Sequence, residues 1–414
     1  MLDLSLSHSI KDINHWYKDI NQLYHPTGEY EQDSQSIIYS KDLLNTTKFD
    51  PILLKEWFYL VSDGGYLVID YKVNNLLDWQ KLEKNMWWLW QNNYEVIFHN
   101  SFDKKISTHS SLTQFISEIT TGSHDNITPD EEIGSYLRFI CKKTNPTVYK
   151  NDSIDKWSFG IISNGQRDEL IEKIIKSIHS QDIKEYEIII CGTYNGSIDN
   201  VKYLPFSKRD KLGWISKKKN IIVENAKYEN ICMLHDRLLF TPNWFKNMKK
   251  WGNCFEHIGS AQVYEGIRSN DYLLHESIPN KPFGFASLMD YKDWDKSTFN
   301  AGQLHIAKKR FLKKIKWNES LFWGEPEDLE ISELLTQQGY ILRNNSSSVF
   351  NVLMARFIGE LPKVVFNATT LSTKREGSFL RILGRKIYTQ VSSFKLLSRF
   401  IVFLAIKIYH KGKN

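Results

Sequence analysis

Five carboxylates crowd one short stretch of this 414-residue chain: Glu325, Glu327, Asp328, Glu330 and Glu333, all between Gly324 and Leu335. They follow a Trp323-Gly324 turn and open a helix-like segment. Acidic residues at a helix N-terminus are favoured by the helix dipole, which accounts for part of the cluster. It does not account for the aromatic lead-in. Two adjacent carboxylates, Glu327 and Asp328, on an aromatic-lined turn suit general-base chemistry, one group acting and the other tuning it. A second candidate is Asp236, delivered by the apolar run Asn230–Leu234. A carboxylate at a strand end can hold a divalent cation, which in turn neutralises a diphosphate; it can also be a plain turn residue. Lys217, Lys218 and Lys219 add either phosphate contacts or a solvated helix face.

The elements that must position these groups are legible in the apolar pattern. Trp157–Ser163 reads as a buried strand ending in an Asn164-Gly165 turn, and Leu170, Ile171, Ile174, Ile175 and Ile178 then recur at helical spacing. Tyr186–Cys191 is the next strand, so the segment is a strand–helix–strand unit. Open parallel sheets bind ligands beyond the carboxyl ends of their strands, here residues 163–167 and 192–195. A helix from Ile221 to Ala226 then leads into the strand that carries Asp236. Upstream, residues 51–61 have helical spacing, Asp63-Gly64-Gly65 reads as the stop, and Tyr66–Asp70 as a buried strand. A helix from Leu77 to about Gln91 and strands at Tyr94–Phe98 and Tyr136–Lys142 complete an α/β pattern. The polar stretch Lys142–Ser153, containing Pro146, reads as a linker.

Taken together, the motifs in residues 157–352 resemble a GT-A glycosyltransferase of family 2. The resemblance implies a nucleotide-diphospho-sugar transferase domain of Rossmann-like α/β fold. It implies that Asp328 is the catalytic base and Glu327 its partner. It further implies that Ser163, Asn164, Arg167, Lys218, Asn220 and Asp236 bind the nucleotide sugar. Asp236 would also bind a divalent cation, Mn2+ or Mg2+, and Trp323, Gly324 and Asn300 would meet the acceptor. Two departures stand out: the first aspartate of the metal motif falls at Leu234, with His235 between, and the second strand ends Cys191-Gly192-Thr193, without carboxylates. Residues 37–142, through "LLKEWFYLVSDGGYLVID" at 53–70, are similar to the second half of a class I methyltransferase, but no GxGxG cofactor loop precedes them.

The expected organisation is therefore an N-terminal, non-catalytic α/β domain (1–150), a GT-A domain (151–373) and a basic amphipathic helical tail (374–414). The net charge is +6, yet residues 374–414 alone carry +9, leaving residues 1–373 at −3. A basic amphipathic tail is drawn to an anionic membrane surface, and its confinement to one end argues against nucleic-acid binding. With 41% apolar and 25% charged residues the composition is that of a globular protein, excluding collagen-like and wholly disordered classes. No apolar run is long enough to span a bilayer, the first residues lack a signal-peptide pattern, and four scattered cysteines fit a reducing cytoplasm. The expectation is an inverting glycosyltransferase on the cytoplasmic face of a bacterial membrane. It would use a nucleotide-sugar donor and a glycan or lipid-linked acceptor in surface polysaccharide (capsule or O-antigen) synthesis. The alternative is a catalytically inactive glycan-binding or membrane scaffold protein of the same fold.

Overall fold

The computed structural model describes residues 10–12, 30–101, 109–121, 133–146, 152–196, 199–206, 213–279, 283–354 and 365–366. The basic tail lies outside these residues. The first part of the chain contains β1 (Ile10–Asp12), β2 (Gln35–Lys41), α1 (Asp50–Leu60), β3 (Val61–Lys72), α2 (Trp79–Trp90), β4 (Tyr94–Ser101), α3 (His109–Thr121) and β5 (Tyr136–Lys143). Its five strands form one sheet in the order β1-β2-β3-β5-β4. The β2–β3 pairing is parallel, whereas β5 runs antiparallel to both β3 and β4.

Local sequence explains these elements. Pro51 sits in the first turn of α1, where a missing N–H costs nothing. The Asp78 carboxylate caps α2 by accepting the Lys81 N–H at 2.7 Å. Asp63-Gly64-Gly65 is not the stop for α1: that helix ends at Leu60, and the two glycines lie within β3. A Cβ on Gly65 would come within 2.9 Å of the Ser36 carbonyl oxygen, so the close β2–β3 approach needs glycine there. Every residue of α1 is buried, Lys55 and Glu56 included.

The remaining chain forms β6 (Lys156–Asn164), α4 (Asp168–His179), β7 (Glu185–Thr193), β8 (Val201–Pro205), α5 (Ile215–Asn225), β9 (Asn230–His235), β10 (Leu238–Phe240), α6 (Trp244–Trp251), β11 (His257–Tyr264) and β12 (Ile267–Arg268). It continues with β13 (Tyr272–Ser277), β14 (Phe283–Leu288), β15 (Thr298–Asn300), β16 (Leu304–Lys308), α7 (Lys309–Lys314), α8 (Glu327–Gln337), β17 (Leu342–Val352) and β18 (Val365–Phe366). A nine-stranded sheet runs β10-β17-β11-β16-β9-β6-β7-β8, with β12 paired to β11; β15-β13-β14-β18 form a smaller sheet. Strands β8, β7, β6 and β9 are mutually parallel, and β16 returns antiparallel to β9. The apolar stripe Ile171, Ile174, Ile175, Ile178 seats α4 in one core with Trp157, Phe159 and Trp244. Ile222, Val223, Leu312 and Ile331 belong to a second core, with Ile189 and Met233.

The predicted linker is less detached than its composition suggests. Lys143 ends β5 with its ammonium buried, donating to the carbonyls of Phe58 and Val61. Asp152 is buried as well, accepting from Lys308 and Arg310, each at 2.8 Å. Polar residues here tie the chain down at both ends of the stretch.

Candidate functional site

Because β6, β7 and β9 are parallel, Asn164, Thr193 and His235 end at the same edge of the large sheet, and β16 begins there. The turn after β6 is fixed internally: the Ser163 hydroxyl donates to the Thr193 carbonyl at 2.6 Å and accepts the Gly165 N–H at 3.0 Å. Gly192 must lack a side chain, since a Cβ would fall 1.9 Å from the Ser163 carbonyl oxygen. Lys218, buried, donates to that same oxygen at 2.6 Å. Asn164 is exposed in the turn. Arg167, immediately before α4, reaches across to Asp236 with Nη1 2.7 Å from Oδ1.

The adjacent rung joins these strand ends to the acidic helix. The His235 N–H donates to the Gln303 carbonyl at 3.0 Å, placing Gly302 beside the end of β9. The Gly302 N–H then donates to Asp328 Oδ2 at 2.7 Å, and the Leu329 N–H donates to Oδ1 at 2.9 Å. A Cβ on Gly302 would sit 2.5 Å from Glu327 Oε1 and 3.2 Å from Asp328 Oδ2, so a side chain there would displace the carboxylates. Beneath Asp328, Lys219 and Glu327 form a buried ion pair, Nζ–Oε2 2.8 Å, and Lys219 also donates to the Gly302 carbonyl. Burial pushes the Glu327 carboxyl up to about 7, against the pull of Lys219 and reinforced by the Asp328 charge. Burial raises Asp328 too, opposed by Lys219 and its two backbone N–H partners.

The other acids of the cluster have structural work. Glu325 accepts the Phe322 N–H at 2.7 Å, Glu330 accepts from Asn318 at 3.1 Å, and Glu333 lies 3.7 Å from His275. Glu327 is 3% exposed, while Asp328 is partly accessible. The site thus sorts its adjacent pair into an inner carboxylate held by a cation and an outer one aimed by backbone donors. A base that is partly accessible and raised above the ordinary carboxylate range is chemically suited to take a proton from a hydroxyl.

Several sequence-selected residues occupy different roles from those expected. Asn220 is buried and clamps Trp317, donating to its carbonyl at 2.9 Å and accepting its N–H at 3.0 Å. Asn300 is interior, 2% exposed, with its amide on His257 and the Ile258 carbonyl; it presents nothing to an acceptor. Trp323 is 42% exposed and Gly324 follows with φ 84°. The Trp323 N–H donates to the Gly213 carbonyl, and Phe322 stands 5.5 Å from Trp214, so an aromatic wall flanks the acidic helix. Phe299 is buried in a small core with Leu273 and Leu329. Lys219 was legible as part of a lysine run, but its pairing with Glu327 was not; Gly302 carried no sequence signal beyond being glycine.

Buried imidazoles lie behind the site. His257 is pushed down to about 3, and His235 and His305 well below their ordinary range, first by burial and then by Lys219. All three are neutral at pH 7. Arg167, Lys218 and Arg237 also act on His235, so several cations gather at the end of β9, Arg167 paired with Asp236 and Lys219 with Glu327.

That neighbourhood does not fit the expected divalent cation. At a nucleotide site such an ion is held through one or two carboxylates together with waters and substrate phosphates, so the carboxylate must be open to it. Strand β9 ends with one carboxylate, Asp236, whose Oδ1 already accepts from a guanidinium, and its partner position is the fully buried Leu234. Among the described residues, no group of three or more His, Cys, Asp or Glu is arranged to hold a metal.

No family model matches this sequence, and no curated protein matches it. Among solved structures it is similar to crystal structures of S. aureus TarS. One aligns with a TM-score of 0.33 and 14% identity over 48% of this chain and 37% of that chain. A TarS fragment of residues 1–349 aligns with a TM-score of 0.32 and 13% identity, over 57% and 72% of the two chains. The same fragment in complex with UDP gives 0.32 and 13%, over 48% and 60%. The chain thus spans little more than a third of the first of these proteins, and at such scores the likeness carries no weight for activity.

Proposed function

We propose that this chain is an inverting glycosyltransferase that moves a sugar from a nucleotide-diphosphate sugar to a hydroxyl of a glycan or lipid-linked acceptor. The observation that carries the reading is Asp328: a partly accessible, raised carboxylate aimed by Gly302, one rung from the strand ends that would receive a nucleotide. In the proposed step, Asp328 accepts the acceptor hydroxyl's proton while that oxygen forms a bond to the anomeric carbon. The bond from that carbon to the diphosphate oxygen breaks on the opposite face, so the anomeric configuration inverts. Lys219–Glu327 sets the electrostatics under the base, and Trp323 offers an aromatic face to a sugar ring.

The finer parts of the reading belong to this proposal as well. We take the pathway to be bacterial surface polysaccharide synthesis. Residues 374–414 would hold the enzyme at the cytoplasmic face of the membrane; among the described residues no helix is long and apolar enough to cross one. The N-terminal unit reads as half a methyltransferase fold turned into a brace. The order β2-β3-β5-β4 with an antiparallel β5 supports that reading.

The test is Asp328→Asn. Sugar transfer should fall at least about a thousandfold, within the range general-base loss produces, while nucleoside diphosphate affinity measured by calorimetry stays within about threefold. Transfer undiminished in Asp328→Asn would remove Asp328 from the mechanism. Absence of transfer or donor hydrolysis in the unaltered protein, with glycan binding retained, would favour the inactive scaffold.

A further inference from the structure

We infer that the donor site neutralises its diphosphate with the chain's own cations, Arg167 foremost, and binds nucleoside diphosphates without a divalent metal ion. This rests on reading the strand ends as the donor site. An enzyme of this chemistry must stabilise the negative charge that builds on the departing diphosphate, by a metal or by fixed cations. Here the metal's place is contested by geometry: the one carboxylate at the end of β9 is paired with Arg167, 2.7 Å away, and the position two residues before it is the buried Leu234.

What replaces the metal is on the same strand ends. The Asp236 side chain is 7% exposed and that of Arg167 31% exposed, so the carboxylate is the inner member of the pair and the guanidinium the outer. A guanidinium offers five N–H donors in a planar fork and stays charged at all working pH. One of these nitrogens is held by Asp236, which fixes the plane and leaves part of the fork accessible to a phosphate. Asp236 is then a positioning residue for a cation rather than a ligand of one. Lys218 stands beside the same turn, its Nζ on the Ser163 carbonyl and 3.2 Å from where a Cβ of residue 192 would lie. Lys219 contributes less net charge, because Glu327 neutralises it. A divalent ion entering here would have to displace Arg167 from Asp236, whereas a diphosphate would meet the outer part of the guanidinium.

Calorimetric titration of the full chain with UDP, GDP, dTDP, CDP and ADP, each in EDTA and in manganese, tests this directly. One nucleoside diphosphate should bind in EDTA, with Kd changed by less than about threefold on adding manganese. Arg167→Ala should weaken that binding at least about tenfold, a factor equal to about 1.4 kcal/mol, with thermal unfolding checking that the variant folds. Asp236→Asn should cost only a few-fold in EDTA. The double variant Arg167→Ala/Asp236→Asn should remain as weak as Arg167→Ala; recovery to the unaltered affinity would show that Arg167 merely masks Asp236, and overturn its assignment. Binding seen only with manganese and lost in Asp236→Asn would overturn the inference and leave the donor-site reading standing. No binding of any nucleoside diphosphate in either buffer would sink both.

Discussion

Glu327 and Asp328 are neighbours in sequence with opposite surroundings, one locked on Lys219 inside the fold and the other aimed outward by N–H groups. Their protons are therefore coupled, and the acid limb of the pH profile belongs to the pair. A base works deprotonated, and both groups have raised affinities for protons. Transfer should thus be lost as pH falls, at a pH above the ordinary carboxylate range. Removing the Glu327 charge by Glu327→Gln leaves Lys219 facing Asp328, which lets Asp328 ionise more readily; the acid limb of kcat/KM should move to lower pH. An unmoved limb would show that the pair does not set it. The same raised Glu327 has a stability sign: the folded state holds a proton that the unfolded chain releases above about 4.5, so its contribution falls as pH rises from there to about 7. Gly302 is the third residue of this unit. Gly302→Ala would press a methyl group against both carboxylates, and an ångström-scale misplacement of a base costs about a hundredfold. The expected result is a kcat lowered by that order with donor affinity held within about twofold.

Helix α8 carries the pair at its N-terminus, and its other end is held by the N-terminal unit. Trp88 of α2 donates its indole N–H to the Thr336 carbonyl at 2.6 Å, and Gln91 donates to the Gln338 carbonyl at 2.5 Å. The Thr336 carbonyl also accepts the Gly339 N–H at 2.9 Å, so Trp88 adds a second bond at the end of the helix. Gly339 ends α8 at φ 76°, and a Cβ there would fall 2.1 Å from the Trp88 carbonyl oxygen. Gly339→Ala therefore meets both a left-handed backbone and a clash, and should cost about 1–3 kcal/mol. Urea unfolding should show a lower midpoint with unchanged slope, and an unshifted midpoint would show that α8 is not held there. This contact explains the limits of reading the sequence. The strand–helix–strand pattern of 156–193, the strand before Asp236 and the helix at Glu327 were legible because periodicity is local. Asn300 and Asn220 were misplaced because nothing local tells a polar interior clamp from a polar ligand contact. Lys219 and Gly302 were missed as partners because their roles exist only once α5, β16 and α8 meet.

At the scale of the molecule, the two larger sheets are joined through a wholly buried helix rather than through a flexible hinge. Lys55 of α1 pairs with Glu256 at 3.0 Å, both nearly inaccessible, and its next neighbour Glu56 pairs with Arg343 of β17. Trp294 and Ile341 from the C-terminal part complete the N-terminal core, so no apolar boundary separates the parts. Trp294 adds an indole N–H to the Leu342 carbonyl at 3.0 Å. Buried ion pairs give weak net stability, but removing one partner strands the other in a low dielectric at a cost of about 3–5 kcal/mol. Glu56→Gln should destabilise by that order, because Arg343 cannot shed its charge. Glu56→Gln/Arg343→Met removes both charges and should recover most of the loss, which isolates the stranded charge as its cause. Because α1 ties the two parts together by buried ion pairs and Trp294 and Ile341 complete its core, calorimetry should show one unfolding transition, and Glu56→Gln should shift it whole. A split into two transitions, with the C-terminal part unaffected by Glu56→Gln, would mean that the N-terminal unit is cargo and not a brace for the acidic helix.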